Sequence, residues 1–191
     1  MTLQEAQRDM RFGMMGGFMG QLVSGVLWLA SAALATWSTP GSAITLLVVA
    51  GIFIFPLTKL GLKVIGHRFS VSKGNPLNGL GMQAAFVLPL CLPLVGAAAL
   101  YRLEWFFPAF MIVLGAHYLP FVTLYGMRVF YGLAAVLFTA GLMLGLYVHL
   151  PFAAGAWFTA ALLLVFAVLG GWLVRREAGA SEAVVPPEAW S

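Results

Sequence analysis

His117 is the residue whose type and position most suggest chemistry. It lies within an apolar run, 105–125, and is followed closely by Tyr118 and Pro120. An imidazole can relay protons, bind a ligand or hold a metal, and an ionisable residue inside a membrane is a functional candidate by default. The alternative is structural. The ring of Pro120 frees a backbone carbonyl near His117, and the imidazole could satisfy that defect or bond to a neighbouring helix.

A second set of residues could form a polar cavity beside His117. Pro89 and Pro93 lie one helical turn apart in the apolar run 80–101, and two prolines at this spacing should kink a helix and free carbonyl groups. Broken helices line binding sites in transporters, and glutamine side chains near the starts of two runs could complete such a site. The sequence therefore predicts a substrate-binding site between the third and fourth runs. Its candidate residues are Gln21, Gln83, Pro89, Pro93, His117 and Tyr118.

The other reactive residues match no familiar catalytic or metal-binding motif. The only cysteine is Cys91, and no Cys/His spacing is typical of zinc. Four methionines near the N-terminus could bind Cu(I), but methionine is also an adaptable apolar filler, and no His or Cys stands beside them. These are Met10, Met14, Met15 and Met19. We predict no metal and no cofactor, and the sequence does not decide whether the protein is an enzyme.

A few polar residues flank the apolar runs on the side that carries few charges. Glu104 and Arg102 lie next to Trp105 and should pair, and His149 lies at the same depth one hairpin later. Together with Tyr101 they could form a catalytic set near this surface. We favour interface anchoring, because aromatic and charged residues are common where helices leave a membrane.

The elements that position these residues are apolar helices. Of 191 residues, 62% are hydrophobic and 8% charged, which excludes an ordinary soluble domain. Each of six runs is near the roughly 20 residues that cross a membrane, and none contains Lys, Arg, Asp or Glu. The runs are 12–36, 42–58, 80–101, 105–125, 129–148 and 152–172. The predicted fold is an all-α, polytopic membrane protein with six transmembrane helices.

The charges between the runs predict the topology. Nine of ten basic residues fall in connections on one side, and Arg102 alone falls on the other. The positive-inside rule makes the basic side cytoplasmic, so both termini are predicted inside, in a bacterial inner membrane. Short connections force neighbouring helices to be antiparallel and give a compact bundle of hairpins. We predict one domain, 1–176, and a disordered cytoplasmic tail, 177–191.

The longest connection, 59–79, has an amphipathic pattern. Lys59, Lys63 and His67 recur every four residues, and Arg68 follows. At helical spacing these residues form a basic face, and we predict that this face contacts the headgroups of membrane lipids. The simpler interpretation is a cytoplasmic loop whose charges only fix the orientation. The basic residues form no stripe with interleaved aromatics, so we expect no nucleic-acid partner.

Three functions are open at this point. The first is a small transporter or channel for a small solute, in which so short a chain could act as a homo-oligomer. The second is a structural or assembly protein acting through glycine-rich helix packing, since small residues at four-residue spacing let helices approach closely. These residues are Gly13, Gly16, Gly17, Gly20, Ser24, Gly141 and Gly145. The third is a lipid-active membrane enzyme.

Overall fold

The computed structural model describes residues 1–67 and 70–182, and this part of the chain contains helices and no strand. Short 3-10 turns precede α2 and α6, and a π-helical turn, Met143–Tyr147, ends α7. The predicted all-α class is confirmed. The α-helices are α1 (Leu3–Gly13), α2 (Phe18–Trp37), α3 (Pro40–Gly51), α4 (Ile54–Val64), α5 (Asn78–Tyr101), α6 (Phe106–Tyr125), α7 (Val129–Leu142) and α8 (Ala154–Glu182).

Several of these helices have the length and composition of membrane spans. Among the described residues, five are long and apolar enough to cross a membrane, and a sixth span exists if α3 and α4 are counted together. These two helices meet at a 66° bend. Because α3 has 12 residues, about 18 Å of helix, it is too short to cross a hydrocarbon core of about 30 Å alone. The predicted run 42–58 therefore contains a break that its hydropathy does not show.

The first span is also interrupted, at the point where α1 joins α2. Met15, Gly16 and Gly17 all have positive φ, at 47°, 60° and 76°, so the α-helix cannot continue through them. Glycine adopts this conformation without a steric penalty, which explains the two glycines at the turn. The apolar span thus begins at Met15 rather than at Phe12. The preceding helix α1 is a separate element that hydropathy did not predict.

The bundle has two groups of neighbouring helices. In one group α2 packs against α3, α4 and α8, and in the other α6 packs against α5 and α7. Aromatic side chains join the groups: the ring of Trp28 on α2 lies 5.2 Å from that of Phe110 on α6, and Phe18 stacks on Phe130 of α7 at 5.6 Å. Such rings bury a large apolar area and fix the position of α2 against α6.

The glycine-rich positions make close contacts within the chain. A Cβ added to Gly25 on α2 would lie 2.9 Å from the Leu164 side chain on α8. One added to Gly141 on α7 would lie 2.8 Å from the Pro108 carbonyl oxygen on α6. These glycines let neighbouring helices of the same bundle approach closely.

Both ends of the described chain lie at one end of the bundle, which we call the proximal end. There the Arg11 side chain of α1 forms an ion pair with Glu177 of α8, with an N–O distance of 3.1 Å, and donates a hydrogen bond to the Tyr125 carbonyl at the end of α6. The opposite, distal end carries the α2–α3 turn, Arg102–Trp105 and the α7–α8 connection. The predicted tail, 177–191, begins within α8, and residues 183–191 lie outside the described part.

The buried side chain of Asn75 links α1 to the connection before α5 through hydrogen bonds. Its side chain, 3% exposed, donates to the Ala6 carbonyl at 2.9 Å and to the Asp9 carboxylate at 2.8 Å, and it accepts from the Leu77 N–H. The hydrogen bond from Asn75 holds the pKa of the Asp9 carboxyl below its usual value. One buried amide therefore holds two segments together, α1 and the connection before α5.

We expect Asn75→Ala to lower the free energy of unfolding by about 1–3 kcal/mol, because buried polar groups lose their partner. Thermal unfolding of the purified protein in detergent measures the change. Asn78→Ala is the matched control, since this exposed amide bonds only to the nearby carbonyls of Ser72 and Lys73. Equal losses in the two variants would contradict the role given to Asn75.

Candidate functional site

Gln21 is a polar side chain buried within the membrane-spanning part of α2. It is 1% exposed, and neither its amide nitrogen nor its amide oxygen forms a hydrogen bond within the described chain. It lies three residues after the start of α2 at Phe18, about 4.5 Å along the helix from its proximal end. An amide in this position offers two donors and an acceptor to whatever enters its surroundings.

His117 lies on α6, about 12 Å from the proximal end of that helix. Its Nδ1 atom is buried and has no hydrogen-bond partner among the described residues. The imidazole ring packs against Phe121, with centroids 5.0 Å apart, and faces the backbone of Ala84 on α5. Nδ1 is thus not bonded to the carbonyl that Pro120 frees, whereas the contact of the imidazole with the Ala84 backbone is of the kind that the second structural alternative, a bond to a neighbouring helix, predicts.

Tyr118 connects these two residues. It is 3% exposed, its ring centroid lies 5.4 Å from that of His117, and its phenol faces the Gln21 side chain. Its ring also lies nearly parallel to that of Phe130, at 6.1 Å. The structure thus brings Gln21, His117 and Tyr118 together between α2, α5, α6 and α7, and we call these three residues the polar cluster.

The other predicted substrate-binding residues lie elsewhere. Gln83, Pro89 and Pro93 are exposed on the outer face of α5. This helix is continuous from Asn78 to Tyr101 despite its prolines. Only 11% of its most apolar 18-residue stretch is buried inside the bundle, a smaller share than in each of the other four spans. Within this chain, these three residues do not join the polar cluster.

A contact that the sequence did not predict lies on the proximal side of the polar cluster. The Tyr125 hydroxyl donates a hydrogen bond to the Met14 sulfur at 3.7 Å, where α1 turns into α2. A Cβ on Gly17 would lie 2.9 Å from the Tyr125 ring. Because glycine has no Cβ, the ring can pack directly against the backbone of the α1–α2 turn. The available signal was the pair of adjacent glycines, Gly16 and Gly17, at the start of an otherwise unbroken apolar run.

The predicted lipid-headgroup residues separate into two environments. Lys59 and Lys63 are exposed one turn apart on α4. That helix ends at Val64, and the His67 Nε2 atom lies 2.9 Å from the Phe12 carbonyl oxygen, so His67 faces α1 instead of continuing the basic face. Arg68 lies outside the described residues.

The cluster's composition limits its chemistry. It contains an amide, an imidazole and a phenol but no carboxylate, lysine or arginine. Among the described residues, no group of three or more His, Cys, Asp or Glu could hold a metal ion. The arrangement is suited to hydrogen bonding with an uncharged molecule, since a charge buried without a partner is far more costly than a neutral polar group.

Comparison with protein families gives one match. The model described as "Family of unknown function (DUF7010)" matches residues 3–173. The chain belongs to this family. No curated protein and no solved structure matches the chain.

The range matched by DUF7010 includes α1 as well as the polar cluster. The amphipathic first helix is therefore part of the family's domain. Five of its described helices are long and apolar enough to cross a membrane, so this DUF7010 protein resembles a multi-pass membrane protein.

Proposed function

We propose that this DUF7010 protein is a transporter or channel for a small, neutral solute that forms hydrogen bonds, and that the solute binds at the polar cluster. The observation that carries the proposal is the burial of three polar atoms that form no hydrogen bond of ordinary geometry within the described chain, the two amide atoms of Gln21 and Nδ1 of His117, although their side chains face the Tyr118 phenol and the Ala84 backbone. Each such group costs about 1–3 kcal/mol when it has no partner. A passing solute is a partner that would offset this cost.

The chemistry of the three side chains indicates the class of solute. Gln21 supplies donors and an acceptor, His117 supplies a nitrogen, and the Tyr118 phenol can donate or accept. The cluster has no carboxylate, lysine or arginine that could balance a buried charge, so a neutral solute with hydroxyl or amide groups fits better than an ion. Glycerol, urea and formamide are small representatives of this class and serve as probes.

The interrupted helices support a transport path. Discontinuous helices are a recurrent feature of transporter binding sites because their ends expose backbone groups that ligands can use. The α1–α2 turn lies on the proximal side of Gln21, and the bent pair α3–α4 packs against the same helix. A Cβ on Gly20 of α2 would lie 3.5 Å from the hydroxyl of Thr58 on α4. The α1–α2 turn thus adjoins the first turns of α2, and so does the α4 half of the bent pair.

The placement of the charges supports an orientation with the proximal end in the cytoplasm. The basic residues of α1, Lys73 before α5, and Arg175 and Arg176 of α8 lie at or near this end, whereas Arg102 lies at the distal end. By the positive-inside rule, both termini of the protein would then be inside, in a bacterial inner membrane. On this proposal the contact between Tyr125 and Met14 closes the cytoplasmic side of the path.

Reconstitution into liposomes tests the proposal. We expect the wild-type protein to raise the permeability of liposomes to glycerol, urea or formamide, measured by stopped-flow light scattering. His117→Phe keeps a ring of similar size without the nitrogen atoms, and should lower that permeability about tenfold, the equivalent of about 1.4 kcal/mol for one lost hydrogen bond.

The matched control is Leu119→Phe, which adds the same phenyl group two residues away at an exposed position of α6. This variant should retain the permeability of the wild type. The proposal is wrong if the wild type matches protein-free liposomes for all three probes, or if His117→Phe conducts as well as the wild type.

A further inference from the structure

A second site, distinct from the polar cluster, lies at the distal end of the bundle. The Arg102–Trp105 turn and the connection between α7 and α8 enclose a pocket of about 310 Å³. Its wall contains two charged side chains, Arg102 and Glu104, and the imidazole of His149. The sequence placed these residues at one membrane interface, and the structure brings them into one pocket.

An apolar groove continues from this pocket between α6 and α7. It has a volume of about 120 Å³ and is lined by Ala109, Ile112 and Leu142, together with glycines of α7. The pocket and the groove share Trp105, Pro108, Gly145 and Leu146 as wall residues. The groove extends at least from Trp105 to Ile112, which corresponds to about 10 Å along α6 towards the centre of the bundle.

The backbone of α7 forms one wall of the groove. Gly145 lets this backbone lie close to Pro108 of α6, because an added Cβ would lie only 3.3 Å from the proline Cβ. The turn that follows α7, Met143–Tyr147, is a π-helix, in which the Val148 N–H donates to the Met143 carbonyl at 2.8 Å. Such turns occur frequently at functional sites.

The two charges of the pocket are available to a ligand. The Arg102 guanidinium lies over the Trp105 ring, 5.5 Å from its centroid, and the expected ion pair between Arg102 and Glu104 is not formed among the described residues. Both side chains are exposed. A ligand with one negative and one positive group would complement a pocket that holds one cation and one anion.

We propose that the pocket and the groove bind one phospholipid with a phosphoethanolamine headgroup. Arg102 binds the phosphate, because a guanidinium matches phosphate oxygens in a bidentate geometry. Glu104 accepts hydrogen bonds from the ammonium group, and an acyl chain occupies the groove. The continuity of the polar pocket with an apolar groove selects a membrane lipid over a free headgroup, and the position of Trp105 and Tyr147 is typical of the interface where headgroups lie.

Lipid binding by the purified full-length protein tests this inference. Native mass spectrometry would measure dissociation constants for phosphatidylethanolamine and for phosphatidylglycerol, which has a phosphate but no ammonium group. We expect the wild type to bind phosphatidylethanolamine about tenfold more tightly, in keeping with about 1.5 kcal/mol for a charge-assisted hydrogen bond. Glu104→Gln should abolish this preference, and Arg102→Gln should weaken the binding of both lipids.

Two controls separate the parts of the site. Lys73→Gln removes a basic residue at the proximal end and should leave both dissociation constants unchanged. Ala109→Phe fills the groove and keeps both charges, so it should weaken phosphatidylethanolamine binding. Circular dichroism would establish that each variant is folded. Equal affinity of the wild type for the two lipids, an unchanged preference in Glu104→Gln, or tight binding of free phosphoethanolamine would overturn the inference.

Discussion

Gly170→Ala is expected to lower the free energy of unfolding by about 2–3 kcal/mol, the largest stability loss that we predict. Gly170 lies on α8 beside the ring of Phe18, and an added Cβ would overlap that ring. The ring cannot move aside, because it is 2% exposed and stacks on Phe130. Its other edge faces Gly16, where an added Cβ would lie 2.8 Å from the ring.

The next residue provides the control for this prediction. A Cβ added to Gly171 would meet nothing within 4 Å, so Gly171→Ala should change the stability little or raise it slightly, since alanine favours helix. Thermal unfolding of both variants in the same detergent compares them directly. Equal melting temperatures for the two variants would mean that Phe18 does not pack against α8 as described.

Gln21→Leu is expected to raise the stability of the protein and to abolish its transport. Leucine has a similar size and no polar atoms, so the substitution removes an amide that is buried without partners, a cost of about 1–3 kcal/mol. The same substitution removes the donors and the acceptor that the proposed solute would use. A purely structural amide would give the opposite result, because its loss would leave its own partners unsatisfied and destabilise the bundle.

Ser31→Ala on the same helix is the matched control for Gln21→Leu. Ser31 is as deeply buried as Gln21, but its hydroxyl donates to the Ala43 carbonyl on α3 at 2.9 Å. Its replacement should lower stability by about 0.6 kcal/mol, a typical value for such bonds in membrane proteins, and should leave transport intact. A higher melting temperature for Gln21→Leu and a lower one for Ser31→Ala are measured in the same thermal unfolding series. A stability loss in Gln21→Leu would show that the amide has a structural partner.

The sequence predicted the helical class and most of the apolar spans, because the cost of burying charge in a membrane is visible in composition alone. The spans 80–101, 105–125, 129–148 and 152–172 each lie over one apolar helix segment. The bend at Ile52–Phe53 was not predictable in this way, since residues on both sides are equally apolar and hydropathy does not report helix direction. The helix α1 was missed for a different reason: its signals are local, a capping box formed by Thr2 and Glu5 and an amphipathic pattern.

The sequence could not predict which residues share the candidate site, because the membrane-spanning helices have no amphipathic stripe to mark the face that packs inside the bundle. In a soluble helix the polar face marks the outside, but in a membrane both faces of α5 are apolar, and the sequence does not show which one meets the bundle. The structure places Gln21 beside Tyr118, next to His117, whereas Gln83, which was predicted in the same site, lies on the exposed face of α5. The glutamines are alike in type and depth, and only helix packing distinguishes them.

The most direct test of the proposed solute site is the solute permeability of Gln21→Leu in liposomes, with Ser31→Ala beside it. Stopped-flow light scattering with glycerol, urea and formamide as probes gives the rates for equal amounts of reconstituted protein. We predict that Gln21→Leu falls to the level of protein-free liposomes while Ser31→Ala keeps the wild-type permeability. Wild-type permeability in Gln21→Leu would contradict the assignment of the polar cluster as the solute site.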